Sequence, residues 1–559
     1  MVTGKALYGK PYAGNPHVCF DVGEVAPTAT PRRGSPLYTK NAIRGMKISR
    51  REALAGMAGF TIFGTGGCRS LFGQQKIRLA VVGVCGKGWS DWLAMYKTGL
   101  VEIVALCDAD YRQVARAQHL TDTKPEAVGV KIDLSKIPFY SDFRRLMDDR
   151  AKLGFDAMTV STPDHVHGMQ AIRAMKEGVH VYVQKPLVRT LWELDYFNRT
   201  ARENHVITQM GNQGSALSSM RRCTEVVRSG ILGDVREVHL WTNRPIWPQG
   251  LSARDAALNH AVVAPPKELD WNAWLSVAAD RPYRAGYTSG TAAARFDAGL
   301  YHAFNWRGFF DFGCGAFGDM ACHTFNMPFR GLELGAISSA ECVRVEEKND
   351  VAFPTKSVVR MKYAARPSKA RPGVTLPACE VYWYDGCLKP DFDRLPPVVK
   401  TLGKPSDCGC LIVGTKGVVS MLDAYGGKCL LAMEGDKKFV DLFEHDAAKA
   451  VARTLPFRSD AEATMVSGGG AAGAAAVSAD GHYAEFLDAI RGDGVVYDDT
   501  HSRCFSDVEA SIPIMESVLV GVMSQRVPGL LAWNSATKRF DSESANALMR
   551  PYIRRGFEF

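Results

Sequence analysis

Asp319 and His323 stand four residues apart in Asp-Met-Ala-Cys-His, and Asn326 follows three residues later. On a helix these three side chains share one face. A carboxylate one turn before a histidine can orient the imidazole and raise its basicity, which suits a general base near neutral pH. The same spacing also fits a plainer arrangement, a first-turn Asp stabilising a helix amino terminus with the His packed in a core. Lys185 is the other residue of interest. It closes the run Val-His-Val-Tyr-Val-Gln-Lys-Pro-Leu over 179–187, whose β-branched, apolar character predicts a buried strand ending at Lys-Pro. Pro186 cannot donate to a sheet ladder and so sets the strand exit. The lysine is thereby carried to the carboxyl end of a strand, where open α/β sheets bind ligands. An exposed edge lysine is the alternative reading.

Such residues need a frame, and the glycine-rich turn upstream supplies one. A strand-like run from Ile77 enters Gly83-Val84-Cys85-Gly86-Lys87-Gly88, a helix-like stretch follows, and Val101 to Asp108 reads as a second strand. This is a dinucleotide-binding βαβ pattern in its confirming context. The turn lets backbone N–H groups approach a pyrophosphate, and the helix amino terminus favours the negative charge. Asp108 stands where an acid binds the adenosine ribose hydroxyls and repels a 2′-phosphate, so NAD is expected over NADP. The pattern departs from the usual one at Cys85, where glycine is standard, and Gly86 is expected to supply the missing freedom. A further strand, Phe155 to Ser161, ends at Thr162-Pro163, which are expected to face the nicotinamide side. His167, early in the next helix, joins the expected cofactor-binding set. His165 and His167 could equally be surface helix residues.

At 559 residues the chain exceeds one core. The expected divisions are an extension over 1–45, a signal and linker over 46–75, and an NAD-binding Rossmann domain over 76–205. A substrate and oligomerisation α+β domain over 206–480 and C-terminal helices over 481–559 complete them. Arg50-Arg51 before a short apolar stretch predicts twin-arginine export to the periplasm or cell envelope, with Cys68 a possible lipid anchor. That stretch is too short to span a bilayer. The run from Ser467 through the following Gly and Ala residues predicts a loop. A formal charge of +9 without a long basic block gives no support for a nucleic-acid partner. The fourteen cysteines form no CxxC pair, so no metal site is expected, and they read as small buried hydrophobes.

The GxG-type turn, TPDHVH over 162–167, QKP over 184–186 and D-x-x-x-H over 319–323, in this order, resemble the Gfo/Idh/MocA oxidoreductase family. The resemblance covers roughly residues 76–559. Trp241 to Gly250 and the closing Tyr552 to Phe557 look like that family's large exported bacterial branch. It implies an α/β Rossmann domain followed by an α+β domain with an open, mostly antiparallel sheet that forms homo-oligomer contacts. It also implies oxidation of a sugar, cyclitol or glycoside hydroxyl by tightly held NAD(P). Lys185 is then implied near the nicotinamide, with Asp319 and His323 as the other catalytic residues. His323 would take the hydroxyl proton, Asp319 would orient it, and Lys185 would stabilise the developing alkoxide. Two positions depart from the family: Gln184, where Glu is common, and Asn326, where many members carry Asp. A glycosidase using transient sugar oxidation would need the same residues, and a non-catalytic sugar- or dinucleotide-binding protein is the remaining rival.

Overall fold

The computed structural model describes residues 76–123, 131–287, 299–456, 481–493, 496–497 and 503–559. The twin-arginine segment, Cys68 and the Gly/Ala run after Ser467 lie outside the described residues. The described chain from Lys76 onward forms one compact unit.

Six parallel strands build the first sheet: β1 (Ile77–Val82), β2 (Val101–Cys107), β3 (Phe139–Tyr140), β4 (Ala157–Val160), β5 (His180–Gln184) and β6 (Thr208–Gly211). The inner strands are apolar along nearly their whole length because helices cover both faces. Four of those helices matter below: α1 (Lys87–Lys97), α2 (Arg112–Thr123), α3 (Asp164–Lys176) and α4 (Leu191–Glu203). The strand order β3-β2-β1-β4-β5-β6 reverses between β1 and β4. That switch point is where a doubly wound sheet opens a crevice for a dinucleotide. The sheet extends past the expected limit at 205, because β6 pairs with β5.

α5 (Ser218–Arg228) leads into β7 (Val235–Trp241), the first strand of the second sheet. After α6 (Gly315–Thr324) and α7 (Asn326–Gly331) come β8 (Ile337–Glu346) and β9 (Lys356–Tyr363). A small hairpin, β10 (Arg366–Pro367) and β11 (Thr375–Leu376), interrupts before β12 (Cys379–Tyr384). Then follow β13 (Gly409–Gly414), β14 (Gly417–Met421), β15 (Cys429–Met433) and β16 (Val440–Asp441). In β9 and β12 buried residues alternate with more open ones, as a sheet covered on one face requires. Only the β7–β12 pair in this ten-stranded sheet is parallel.

The last segment is not purely helical. α8 (Gly481–Arg491) and α9 (Val508–Arg526) return to the core, but β17 (Leu530–Asn534) and β18 (Arg539–Phe540) extend the ten-stranded sheet beyond β8. Leu530 to Asn534 carries the alternation of an edge strand, a signal the expected division at 481–559 passed over. Eight of the twelve described cysteines are buried and all twelve are free thiols, in keeping with their reading as small hydrophobes. Among the described residues no helix is long and apolar enough to cross a membrane.

Candidate active site

β1 delivers Gly83 to the switch point with a φ of +85°. A Cβ there would fall 2.4 Å from the Ser161 carbonyl oxygen, and one on Gly88 would fall 1.9 Å from the Gly83 oxygen. Both positions therefore exclude side chains. The other positive-φ residue of the turn is Gly86, not Cys85, which is why a cysteine is accepted at 85. Nothing lies within 4 Å of where a Gly86 Cβ would stand. α1 begins at that open side without a side-chain cap. A glycine floor below an uncapped helix amino terminus fits the pyrophosphate of a dinucleotide. Asp108 lies beside the turn: its oxygens accept from the backbone N–H of Val84 at 3.0 Å and of Asp110 at 3.1 Å. Burial raises its carboxyl to about 6 against the pull of those N–H groups. Each oxygen retains a further lone pair, as ribose hydroxyls would require.

Under the turn lies a polar cluster that the sequence reading missed. Asp91, fully buried on α1, accepts from Tyr483 Oη at 2.6 Å, Ser161 Oγ at 2.8 Å and the Gln184 amide at 2.9 and 3.1 Å. Lys87 completes it, with Nζ 2.9 Å from Asp91 and 3.0 Å from Tyr483 Oη. Tyr483 comes from α8, nearly four hundred residues away in the chain, so no local pattern announced it.

β5 carries Lys185 to the mouth of the crevice, as expected. Its Nζ donates to Oδ1 of Asp319 at 2.8 Å and to the Asp319 carbonyl at 2.9 Å. Arg307 Nε approaches the same Oδ1 at 3.4 Å. Burial alone would raise the Asp319 carboxyl, but Lys185 and then Arg307 hold it well below the usual carboxylate range. Asp319 and His323 do share a face of α6, yet the carboxylate turns to the two cations and not to the imidazole. The orienting role expected of Asp319 toward His323 is thus corrected: two nearby cations outcompete a buried neutral ring. His323 is 6 % exposed, packs its ring 4.6 Å from that of Tyr425, and leaves Nδ1 without a hydrogen-bond partner. Burial, then the Lys185 charge, hold its pKa well below the ordinary histidine value. The result is a neutral imidazole with a buried, unpartnered nitrogen, under the influence of the Lys185 ammonium.

His165 and His167 are both buried, so their surface reading is overturned. His165 packs against Trp274 and Phe312. His167 bridges the two strand ends that matter, with Nδ1 2.7 Å from the Pro186 carbonyl and Nε2 2.8 Å from the Thr162 carbonyl. Thr162 also donates its hydroxyl to Gln170 at 2.8 Å, and Pro163 starts α3. Asp164, next along, is buried near Arg307, Asp319 and Lys185, and burial pushes its carboxyl up to about 7. Asn326 is taken up structurally: it donates to Ser215 Oγ at 2.8 Å and accepts from Arg330 Nε at 2.8 Å. Trp247 is buried beneath Arg307, which also lies 4.2 Å from the Trp306 ring. Arg307 and Tyr425 are site residues that the sequence reading did not single out. Among the described residues no cluster of His, Cys, Asp or Glu could hold a metal.

Residues 77–212 match the family described as an oxidoreductase family with an NAD-binding Rossmann fold, Gfo/Idh/MocA. A glycosyl hydrolase family 109 protein from Solibacter usitatus is 30% identical over 202 residues, 34% of this chain and 44% of that protein. Glycosyl hydrolase family 109 protein 2 from Akkermansia muciniphila is 28% identical over 163 residues, 29% of this chain and 32% of that protein. The match therefore spans less than half of these curated relatives. Among solved structures, the WlbA dehydrogenase from Bordetella pertussis in complex with NADH and UDP-GlcNAcA superposes with a TM-score of 0.50 at 14% identity. That superposition covers 83% of this chain and 99% of the other, and it speaks to the fold alone. Residues 77–212, with their doubly wound strand order and glycine floor, thus carry the NAD-binding Rossmann domain of the Gfo/Idh/MocA oxidoreductase family.

Proposed function

We propose that this protein oxidises a CH–OH group of a sugar, cyclitol or glycoside, with NAD retained in the crevice between turnovers. The observation that carries this reading is the Lys185–Asp319 pair at the carboxyl end of β5, whose ammonium charge reaches the neutral ring of His323. Bound NAD would supply a nicotinamide ring able to accept hydride. Lys185, fixed by its ion pair with Asp319, offers a donor to the substrate hydroxyl oxygen and stabilises negative charge building there. His323 takes the hydroxyl proton as the carbinol C–H leaves with its electron pair, so the alcohol becomes a carbonyl. His167 keeps the Thr162 and Pro186 segments at a fixed separation and so positions Lys185. The Asp108 carboxylate supports NAD over NADP, since it would repel a 2′-phosphate.

The test is to denature the purified protein, quantify released nucleotide, and follow reduction of the bound cofactor against a panel of sugars, cyclitols and glycosides. Stoichiometric NAD(H) with reduction by one substrate class supports the reading. Absence of NAD, with none taken up on addition, sinks it.

A second reading is favoured by the curated relatives named as glycosyl hydrolases. With NAD bound to hold the hydride, the same residues would support transient oxidation of the sugar, elimination of the glycosidic oxygen after loss of the acidified adjacent C–H proton, addition of water to the resulting enone, and return of the hydride. Cleavage of an aryl glycoside with no net NADH would separate it from the first.

We also infer twin-arginine export, from Arg50-Arg51, and self-association through the ten-stranded sheet, whose β8 and β17 expose Val343, Val345 and Leu530. Detection of a shortened chain in the periplasm, and molar mass by light scattering, test these two points.

A further inference from the structure

At the amino-terminal end of β7 the chain encloses a cavity of about 310 Å³. α5 ends there, the turn through Gly230 and Gly233 forms one wall, the β10–β11 hairpin forms a second, and Thr415-Lys416 between β13 and β14 closes the third. The opposite end of β7 runs on to Arg244, whose charge acts on Asp319. Seven residues of strand separate the two ends, about 20 Å at the usual rise. The cavity is therefore a separate place from the crevice.

Its charge is one-sided. Arg228, Arg366, Arg371 and Lys416 line it against Asp234 and Glu333, and both acids are already engaged. Asp234 pairs with Arg236 at 2.8 Å. Glu333 accepts from the backbone N–H groups of Lys369 and Ala370, each at 3.0 Å, and from the Ser368 hydroxyl at 2.6 Å. Arg366 is held by four backbone carbonyls: Leu332 at 2.6 Å, Glu333 at 2.7 Å, Pro377 at 3.0 Å and Ala364 at 3.2 Å. Carbonyls satisfy its N–H groups but form no ion pair with it; the Glu333 carboxylate acts on it only in part, and burial pulls its pKa down. Arg371 goes further, since its Nε is buried without any hydrogen-bond partner. The guanidinium lies over Gly230, where a Cβ would come within 2.0 Å of Nη1. A glycine with φ of +82° thus makes the floor that seats this arginine inside the cavity.

We propose that this cavity binds a small molecule carrying a tetrahedral oxyanion, phosphate or sulfate, free or as a sugar ester. A planar guanidinium with an open edge matches two oxygens of such a group, and Lys416 adds a point charge at the mouth. The volume lies at the lower end of small-ligand pockets, leaving room for a sugar-sized body beside the anion.

The test uses the full protein with NAD in saturating excess, so that the nucleotide turn is occupied. Inorganic phosphate, inorganic sulfate and glucose 6-phosphate are titrated calorimetrically at constant ionic strength, with chloride as the control. Saturable binding is expected, weakened about tenfold or more in Arg371→Gln, the loss of one charge-assisted contact. Lys416→Glu, a change at an exposed position that leaves the core untouched, is expected to weaken it likewise. Tighter binding of glucose 6-phosphate than of phosphate identifies an ester as the ligand; equal binding identifies the free anion. No saturable binding beyond chloride, or binding unchanged in Lys416→Glu, overturns the proposal.

Discussion

Gln184 donates its amide to both oxygens of Asp91, at 2.9 and 3.1 Å. This accounts for the missing acid before Lys185: the carboxylate is supplied by α1 instead of β5. A glutamate at 184 would set two carboxylates face to face in a buried site, and like charges at that distance cannot both ionise. Gln184→Glu is therefore expected to destabilise the protein by several kcal/mol, by the mechanism of an uncompensated buried charge. Adding Asp91→Asn removes one of the two charges and restores part of that loss. Urea midpoints of the four proteins of the cycle measure the coupling, expected at about 1–3 kcal/mol. A coupling near zero would mean the two side chains do not sense each other.

Lys185 and Asp319 form the other decisive pair. Lys185→Met removes the cation at the reacting oxygen and is expected to lower kcat by about 10²–10³. Retained nucleotide should stay at the wild-type level, since the glycine floor and Asp108 are untouched. Lys185→Arg keeps the charge but cannot reproduce a single ammonium held by both oxygens of one residue, so it should recover stability more than rate. Nucleotide content and rate, measured on the same preparations, distinguish a catalytic lysine from one that merely builds the crevice.

Because burial keeps the His323 imidazole neutral, protonation near its ordinary pKa should not switch the enzyme off. The profile of kcat/KM is expected to run level through pH 6.5, and His323→Asn should lower kcat by about 10²–10⁴ with nucleotide content unchanged. An inflection near 6.5 that disappears in His323→Asn would contradict the buried, neutral ring.

The fold and the positions of the candidate residues Lys185, Asp319 and His323 were legible because each rests on a local signal. Apolar runs ending in Gly83, Thr162 and Lys185 mark strand ends, and the four-residue spacing of Asp319 and His323 puts them on one helix face. The partnerships were not legible. Lys185 meets Asp319 across 134 residues, and Tyr483 meets Asp91 across 392. Neither separation leaves a trace in local periodicity. Arg307 was hidden for a different reason: it stands among Phe304, Trp306 and Phe309, in a stretch that reads as core. His165 and His167 misled because a helix beginning Asp-His-Val-His carries no apolar stripe, yet it lies inside the molecule against Phe312 and the Pro186 carbonyl.

Asp164 makes a contribution of definite sign to the pH dependence of stability. Its folded pKa, about 7, lies above the unfolded value of 3.8 because burial penalises the carboxylate. Between these two values this group binds more protons in the folded state than in the unfolded one, so its contribution to stability falls as pH rises from about 4 to 7 and is level above. The full span is on the order of 4 kcal/mol for one fully buried group. Asp385, also raised to about 7, and Asp108, raised to about 6, act in the same direction. Asp319 acts oppositely, but its contribution is present above its unfolded pKa and is lost only as pH falls below that range. It therefore leaves the 4–7 window untouched. Buried His165, His167, His323 and His482, whose pKa values burial lowers, act in the opposite direction over this window, so the comparison of proteins isolates Asp164. Urea unfolding from pH 4 to 8 should show the wild type losing stability relative to Asp164→Asn, which cannot ionise. Parallel curves for the two proteins would show that Asp164 titrates normally and that the charges of Arg307 and Lys185 outweigh its burial.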